Sequence, residues 1–273
     1  MFKEMCWVDA RTKLYSLIGR DIGYTLSPAI HNSVFRRAGV NAIYIAFDLS
    51  EEVFEKAVPG LLELCGGINV TIPYKEKIIS YLDRLDGTAS RIGAVNTIYR
   101  RTGYNTDYEA IKSLTMERVG SLEGSECLVI GAGGAAKASS FALGDLGCRI
   151  NIVNRTRKRA EGLAERLRNT GIEAWVVDTC TGSYDVVVNT TPDPSSLACT
   201  CTPKILTIDL VYKPVKTELI RKSIEMGIRY ITGLEILARQ ALLAQGIWFE
   251  RDLLYLEGEV IGKLCQGILS GEC

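Results

Sequence analysis

The feature that most constrains this chain is a glycine-rich turn, Gly131-Ala132-Gly133-Gly134-Ala135-Ala136, directly after the apolar run Cys-Leu-Val-Ile at 127–130 and before a helical stretch. It has the G-x-G-x-x-A spacing. The first glycine permits a tight turn, and the second lets the backbone approach a pyrophosphate. A small residue at the sixth position lets the helix pack closely on the strand. The N–H groups and positive dipole end of the helix complete a phosphate site. Short apolar runs at 127–130, 150–153, 184–189, 206–210 and 229–231 alternate with helical stretches at 135–146, 157–169 and 216–226. This alternation predicts an α/β fold with a doubly wound parallel sheet.

The residues after the next strand select the cofactor. About 20 residues beyond the second glycine, an NAD-binding chain usually carries an acid for the ribose 2′-OH. Here the strand is followed by Asn154-Arg155-Thr156-Arg157-Lys158-Arg159, with no acid and four cations within five residues. A 2′-phosphate is nearly dianionic, and arginine offers it paired donors. Cations at a helix start oppose the macrodipole, so stability alone does not account for them. NADP is the expected cofactor. A solvated helix face and a nucleic-acid patch are the rival readings. Lys+Arg and Asp+Glu both number 32, which leaves no overall basic excess for nucleic acid.

The first half also reads as α/β, with strands at 14–19, 44–47 and 67–71 and helices at 28–38 and 51–65. Ser27 is expected at the N-cap of the first helix with Pro28 at N1. Helical stretches are expected at 75–82 and 88–91, and a hairpin over 94–103. Thr106-Asp107-Tyr108-Glu109 has capping-box spacing and starts a helix over 108–118 that joins two domains. The chain from Gly233 onward reads as helical to its end. At 273 residues the chain is long enough to need no staple. Its nine Cys, with no CxxC pair, read as small buried hydrophobes in a reducing cytosol. No signal peptide or membrane span is expected, and the location expected is cytoplasmic.

The chain has a single His, His31. That excludes a multi-histidine metal site, and no metal is expected. It also leaves proton transfer to a lysine or a carboxylate. Asn69-Val70-Thr71-Ile72-Pro73-Tyr74-Lys75 places small polar groups and a lysine at a strand end. Gly93-Ala94-Val95-Asn96-Thr97 and Gly103-Tyr104-Asn105-Thr106-Asp107 repeat the polar-tip pattern, which suits a polyhydroxylated substrate. A lysine beside an aspartate can hold or release a proton during carbonyl reduction. Taken singly, Lys75 also reads as a surface cation and Asp107 as a helix-start acid.

Together these stretches carry a resemblance. With Leu26-Ser27-Pro28-Ala29-Ile30-His31-Asn32, Asp209-Leu210-Val211-Tyr212, Pro214, Gly233-Leu234 and Gln240, the chain resembles the shikimate dehydrogenase family across nearly its whole length. The resemblance implies an N-terminal α/β substrate domain at 1–107, completed by C-terminal helices at 236–273. It implies a Rossmann-like NADP domain at 108–235 and a cleft between the two. The implied reaction is reversible, NADP-dependent reduction of 3-dehydroshikimate to shikimate. Lys75 is similar to the family's proton-transfer lysine and Asp107 to its partner. Thr25, Ser27, Thr71, Asn96, Tyr212 and Gln240 match substrate positions. Gly131, Gly133, Gly134, Ala135, Asn154, Arg155, Thr156, Arg159, Thr191 and Gly233 match cofactor positions. His31 reads as structural. The expected partner is a small-molecule substrate, with no nucleic acid and no membrane, in a monomer or homodimer.

The chain departs from the family pattern at Tyr24-Thr25, where the family has His-Ser, and at Ala110, where it usually has glycine. It also departs at Pro194-Ser195, where it tends to have Gly-Met. These changes keep quinate open as a rival substrate. A non-catalytic NADP-binding regulator is a second rival reading. A third is a different two-domain NADP enzyme, such as a folate dehydrogenase.

Overall fold

A computed structural model describes residues 8–192 and 200–270. The chain forms two compact units. One comprises the residues up to Thr106 together with those from Ala238 on; the other is Asp107–Leu237.

The first unit is built on a mixed sheet in the order β2-β1-β3-β5-β6-β4. Its strands are β1 (Lys13–Gly19), β2 (Ala42–Asp48), β3 (Gly67–Val70), β4 (Arg84–Leu85), β5 (Thr97–Tyr99) and β6 (Thr102–Tyr104). Strands β2 and β3 flank β1 in parallel, whereas β5 runs antiparallel to β3 and β6. Helices α1 (Ser27–Arg37), α2 (Glu51–Leu64) and α3 (Gly87–Ile92) join the early strands. The β5–β6 hairpin turns on Arg100 and Arg101, both at positive φ (47° and 55°), the two-residue left-handed geometry that matches strand twist. One core cluster gathers Ile18, Phe54, Val58, Ile68, Val70 and Tyr74.

The second unit is an all-parallel sheet in the order β12-β11-β10-β7-β8-β9. Its strands are β7 (Glu126–Ile130), β8 (Arg149–Val153), β9 (Ala174–Val176), β10 (Ser183–Asn189), β11 (Thr202–Asp209) and β12 (Arg229–Ile231). The helices in and beside it are α4 (Thr106–Val119), α5 (Gly134–Gly144), α6 (Arg157–Arg168), α7 (Glu218–Glu225) and α8 (Gly233–Phe249), and α9 (Glu257–Ser270) closes the chain. The strand order reverses between β7 and β10, and a ligand crevice forms at the carboxyl ends of strands at such a switch point.

Several expectations are corrected. The helix expected at 75–82 is a turn followed by a 3₁₀ segment, Lys77–Tyr81. Its backbone turns back from Ile79 to Glu76 and from Leu82 to Ile79, the tighter spacing of a short connector. The C-terminal helix is broken, because Glu250 takes a positive φ of 53° after α8. Ser27 lies inside α1, whose N-cap is Leu26 with no side-chain cap. Strands β4 and β9 were not anticipated, being two and three residues long and too short to show a period.

The cysteines supply the largest correction. Cys127 and Cys148 form a disulfide, with Cα atoms 6.0 Å apart. Neighbouring parallel strands place their amino ends side by side, and Cys127 pairs in register with Ile150, two residues past Cys148. Among the described residues, Cys65, Cys201 and Cys265 are free thiols. No helix among the described residues is long and apolar enough to cross a membrane.

Candidate active site

On the second unit, the glycine turn follows β7 at the switch point. Gly131 has φ +117°, and a Cβ there would stand 2.3 Å from the Thr190 hydroxyl oxygen. Thr190 is pinned in that position, since its N–H and its hydroxyl both donate to the Ile130 carbonyl, at 3.0 and 2.7 Å. Only glycine fits this close approach. Gly133 is exposed and caps α5 without a side chain, and a Cβ on it would meet nothing within 4 Å. Gly134 and Ala135 open the helix, whose first turn holds no acid, while Ala136 is buried. The cradle therefore presents backbone N–H groups with open space before them, as a pyrophosphate requires.

The cations after β8 stand close by in the chain. Arg157 pairs with Glu161 at 2.9 Å and with Asp178. Arg155, Lys158 and Arg159 are exposed and have no ion-pair partner among the described residues. Asn154 donates to the Thr156 carbonyl at 2.9 Å, which shapes the turn into α6, and the Thr156 hydroxyl caps nothing. Three uncompensated cations at a helix start suit a dianionic phosphate, so these residues fit NADP.

The floor beneath Thr191 is polar. Asn189 accepts from the Thr191 N–H and hydroxyl at 3.0 and 2.8 Å and donates to Asp209 at 2.8 Å. Asp209 is fully buried and also accepts from the Thr217 hydroxyl and the Val211 N–H. Burial pushes its carboxyl above the usual range, against the pull of these bonds. This brace was missed in the sequence, since its members stand 8 to 20 residues apart. Tyr212 is half-buried three residues past Asp209. A Cβ on Gly233 would lie 2.5 Å from the Leu210 carbonyl oxygen, so α8 starts against backbone. Asp193-Pro194-Ser195, which carries one departure from the family pattern, lies outside the described residues.

On the first unit, polar groups gather at the carboxyl ends of β1 and β3. The Thr25 hydroxyl donates to Ser27 Oγ at 3.2 Å and accepts from the Ser27 N–H at 3.3 Å. The Ser27 N–H of α1 is thus already taken by Thr25, Pro28 has none and the Ile30 N–H bonds the Leu26 carbonyl, so it is the two hydroxyls, with the Ala29 N–H, that can serve a carboxylate. Thr71 continues β3, its N–H donating to the Ile18 carbonyl at 2.9 Å.

Lys75 stands in the turn after a cis Ile72–Pro73 bond, half-buried, and its carbonyl accepts from the Val95 N–H at 2.8 Å. The preceding residue clamps that turn. Tyr74 is 2% exposed, donates to the Leu49 carbonyl at 2.6 Å, and stacks on Phe54 at 4.0 Å. The sequence pointed to no role for Tyr74. Its one signal was an aromatic beside the lysine.

Asn96 is the hub of the unit's polar interior. Its Oδ1 accepts from the Thr106 N–H at 2.7 Å and from the Thr97 hydroxyl at 3.1 Å. Its Nδ2 donates to Thr106 Oγ1 at 3.0 Å and to Gln240 Oε1 at 3.4 Å. Asn69 joins from β3 by donating to the Asn96 carbonyl and to Thr97, while accepting from the Tyr44 hydroxyl at 2.8 Å. The network fixes Thr106 at the start of α4, and Asp107, nine-tenths buried, is the next residue.

His31 is structural. Its ring is fully buried and stacks on Tyr44 at 4.0 Å, with Trp248 at 5.3 Å. Burial pushes its pKa down to about 3, which keeps it neutral.

A switch-point glycine turn followed by three cations without ion-pair partners among the described residues, on a chain whose other unit carries a clamped lysine and a polar cradle, defines a nicotinamide-dinucleotide oxidoreductase of two α/β units. Comparison narrows the class. Residues 17–98 match the shikimate dehydrogenase substrate binding domain, and residues 113–200 match the shikimate / quinate 5-dehydrogenase family. The chain is 53% identical over 249 residues to a shikimate dehydrogenase (NADP(+)) of Saccharolobus islandicus, covering 90% of this chain and 93% of that protein. It superposes on the shikimate dehydrogenase of Aquifex aeolicus with a TM-score of 0.81 at 33% identity, covering 93% of this chain and 98% of that one. The Thermus thermophilus enzyme, solved in complex with NADP(H) and shikimate, gives 0.77 at 30% identity, covering 92% and 99%. The chain belongs to the shikimate dehydrogenase family.

Proposed function

We propose that this protein catalyses the reversible, NADP-dependent reduction of 3-dehydroshikimate to shikimate, the step the family performs in aromatic amino-acid biosynthesis. The observation that carries the reading is that one chain matches both family domains, with Lys75 in the first. When bound, the reduced nicotinamide supplies a hydride to the ketone carbon. Lys75 Nζ gives a proton to the oxygen that becomes the alkoxide, and its positive charge lowers the energy of that oxygen as negative charge develops. Asp107 acts with Lys75 and accepts a substrate hydroxyl. Thr25 and Ser27 hold the substrate carboxylate, while Thr71, Asn96, Tyr212 and Gln240 serve the ring hydroxyls.

On the cofactor side, Gly131, Gly133, Gly134 and Ala135 would take the pyrophosphate. Arg155, Thr156 and Arg159, with Asn154, would take the adenosine 2′-phosphate, and Thr191 and Gly233 would lie toward the nicotinamide. The protein would work in the cytoplasm, as a monomer or homodimer.

The test is Lys75→Ala. Loss of a general acid typically costs about 10²–10⁴-fold. A fall in kcat of that size, with KM little changed, is expected from steady-state shikimate oxidation. A kcat like that of the wild type would contradict the role of Lys75.

A further inference from the structure

Thr25 and Ser27, the proposed carboxylate pair, follow a loop whose anchor stands on another strand. After β1 the chain runs through Arg20-Asp21-Ile22-Gly23-Tyr24 to Thr25 before α1 begins. Asp21 takes a positive φ of 57°, a left-handed conformation that aspartate enters at a small cost. Gly23 and Tyr24 are exposed. Such a loop keeps one geometry only where its backbone groups are held by partners outside it.

The hold comes from Asp48, the last residue of β2, which pairs in register with Gly19 at the end of β1. One carboxylate oxygen of Asp48 accepts from the Asp21 N–H at 2.8 Å and the other from the Ile22 N–H at 3.1 Å. Two backbone donors on one carboxylate form a charge-assisted bracket, stronger than two neutral bonds. Ile22 is itself 2% exposed, and its carbonyl accepts from the Thr25 N–H at 3.0 Å, which closes a turn over Gly23 and Tyr24. Thr25 in turn exchanges two hydrogen bonds with Ser27. A continuous path therefore runs from the Asp48 carboxylate through Ile22 to both hydroxyls.

We propose that Asp48 is a positioning residue for the substrate carboxylate: it sets the Ile22–Thr25 turn, and with it the Thr25 and Ser27 hydroxyls. This rests on the assignment of those two hydroxyls to the carboxylate. Lys75 is held separately. Its turn is clamped through the Tyr74 hydroxyl on the Leu49 carbonyl, a backbone group that removal of the Asp48 side chain leaves in place. The expected effect is thus on substrate binding and not on proton transfer. Asp48 is exposed, so its replacement opens no cavity in the core.

The test is steady-state oxidation with NADP⁺ of shikimate and of shikimate methyl ester, whose neutral ester lacks the anion, by the wild type, Asp48→Ala and Asp48→Asn. The wild type should prefer the acid in kcat/KM. Asp48→Ala should raise the KM for shikimate about tenfold, the scale of one lost charge-assisted hydrogen bond, with kcat within about twofold. Its kcat/KM for the ester should stay near the wild-type value, so the preference for the acid shrinks by about the same factor. Asp48→Asn keeps one acceptor oxygen and should show the same pattern more weakly; it carries the test if the alanine variant does not fold. A KM for shikimate that does not rise, a matching fall in kcat, or an equal loss on acid and ester would each overturn the proposal. A wild type that did not prefer the acid would instead overturn the assignment of Thr25 and Ser27, so the two failures are distinguishable.

Discussion

The two units build their sites from different materials. The parallel unit uses backbone: a left-handed glycine, the bare N-terminus of α5, and Arg155, Lys158 and Arg159 around the start of α6, which have no ion-pair partner among the described residues. The mixed unit uses buried side chains, chiefly Asn96 with Thr97, Thr106 and Gln240, and Tyr74 clamping the turn of Lys75. A backbone site tolerates the loss of any one side chain with its fold intact. A side-chain hub does not, because every removed atom leaves buried partners unsatisfied.

Removal of the hub should show the contrast most strongly. Asn96→Ala leaves the buried Thr106 N–H without its acceptor and removes one bond each from the Thr97 hydroxyl and Gln240, which then share the Thr106 hydroxyl. We expect a loss of about 4 kcal/mol in denaturant unfolding, together with loss of activity. If stability stayed within about 0.5 kcal/mol, the hub would be dispensable and the contrast would fail.

The parallel unit has its own staple. The Cys127–Cys148 disulfide closes a separation of 21 residues, and removing it through Cys127→Ser should cost about 3 kcal/mol by chain entropy. Thiol titration under denaturing conditions, before and after reductant, checks whether the bond exists in the purified protein. A wild type that lost no stability under reductant would show that the bond is no staple.

The smallest expected effect is Arg155→Ala. It should weaken NADP by about 1.5–3 kcal/mol, the scale of a charged hydrogen bond, leave NAD unchanged, and hardly move the melting temperature. Equal loss with both cofactors would contradict the 2′-phosphate role and blur the line between the units.

The same difference explains what was legible. The glycine turn and the cation run are contiguous, so spacing alone exposed their chemistry, and the strands around them were long enough to show a pattern. Asn96 and Gln240 are 144 residues apart, and no local pattern links them. Their place among the substrate positions came from resemblance, while their mutual bonding came only from the fold. The disulfide was hidden for a similar reason. Cys127 and Cys148 become neighbours only once β7 and β8 are known to be adjacent and in register. Arg157 was counted with the cation run, but Glu161 and Asp178 engage it.

The most direct measurement is steady-state oxidation of shikimate and of quinate by the purified chain, each with NADP⁺ and with NAD⁺. The highest kcat/KM is predicted for shikimate with NADP⁺. A higher value for quinate, a higher value with NAD⁺, or no turnover in any of the four combinations would contradict the proposed activity.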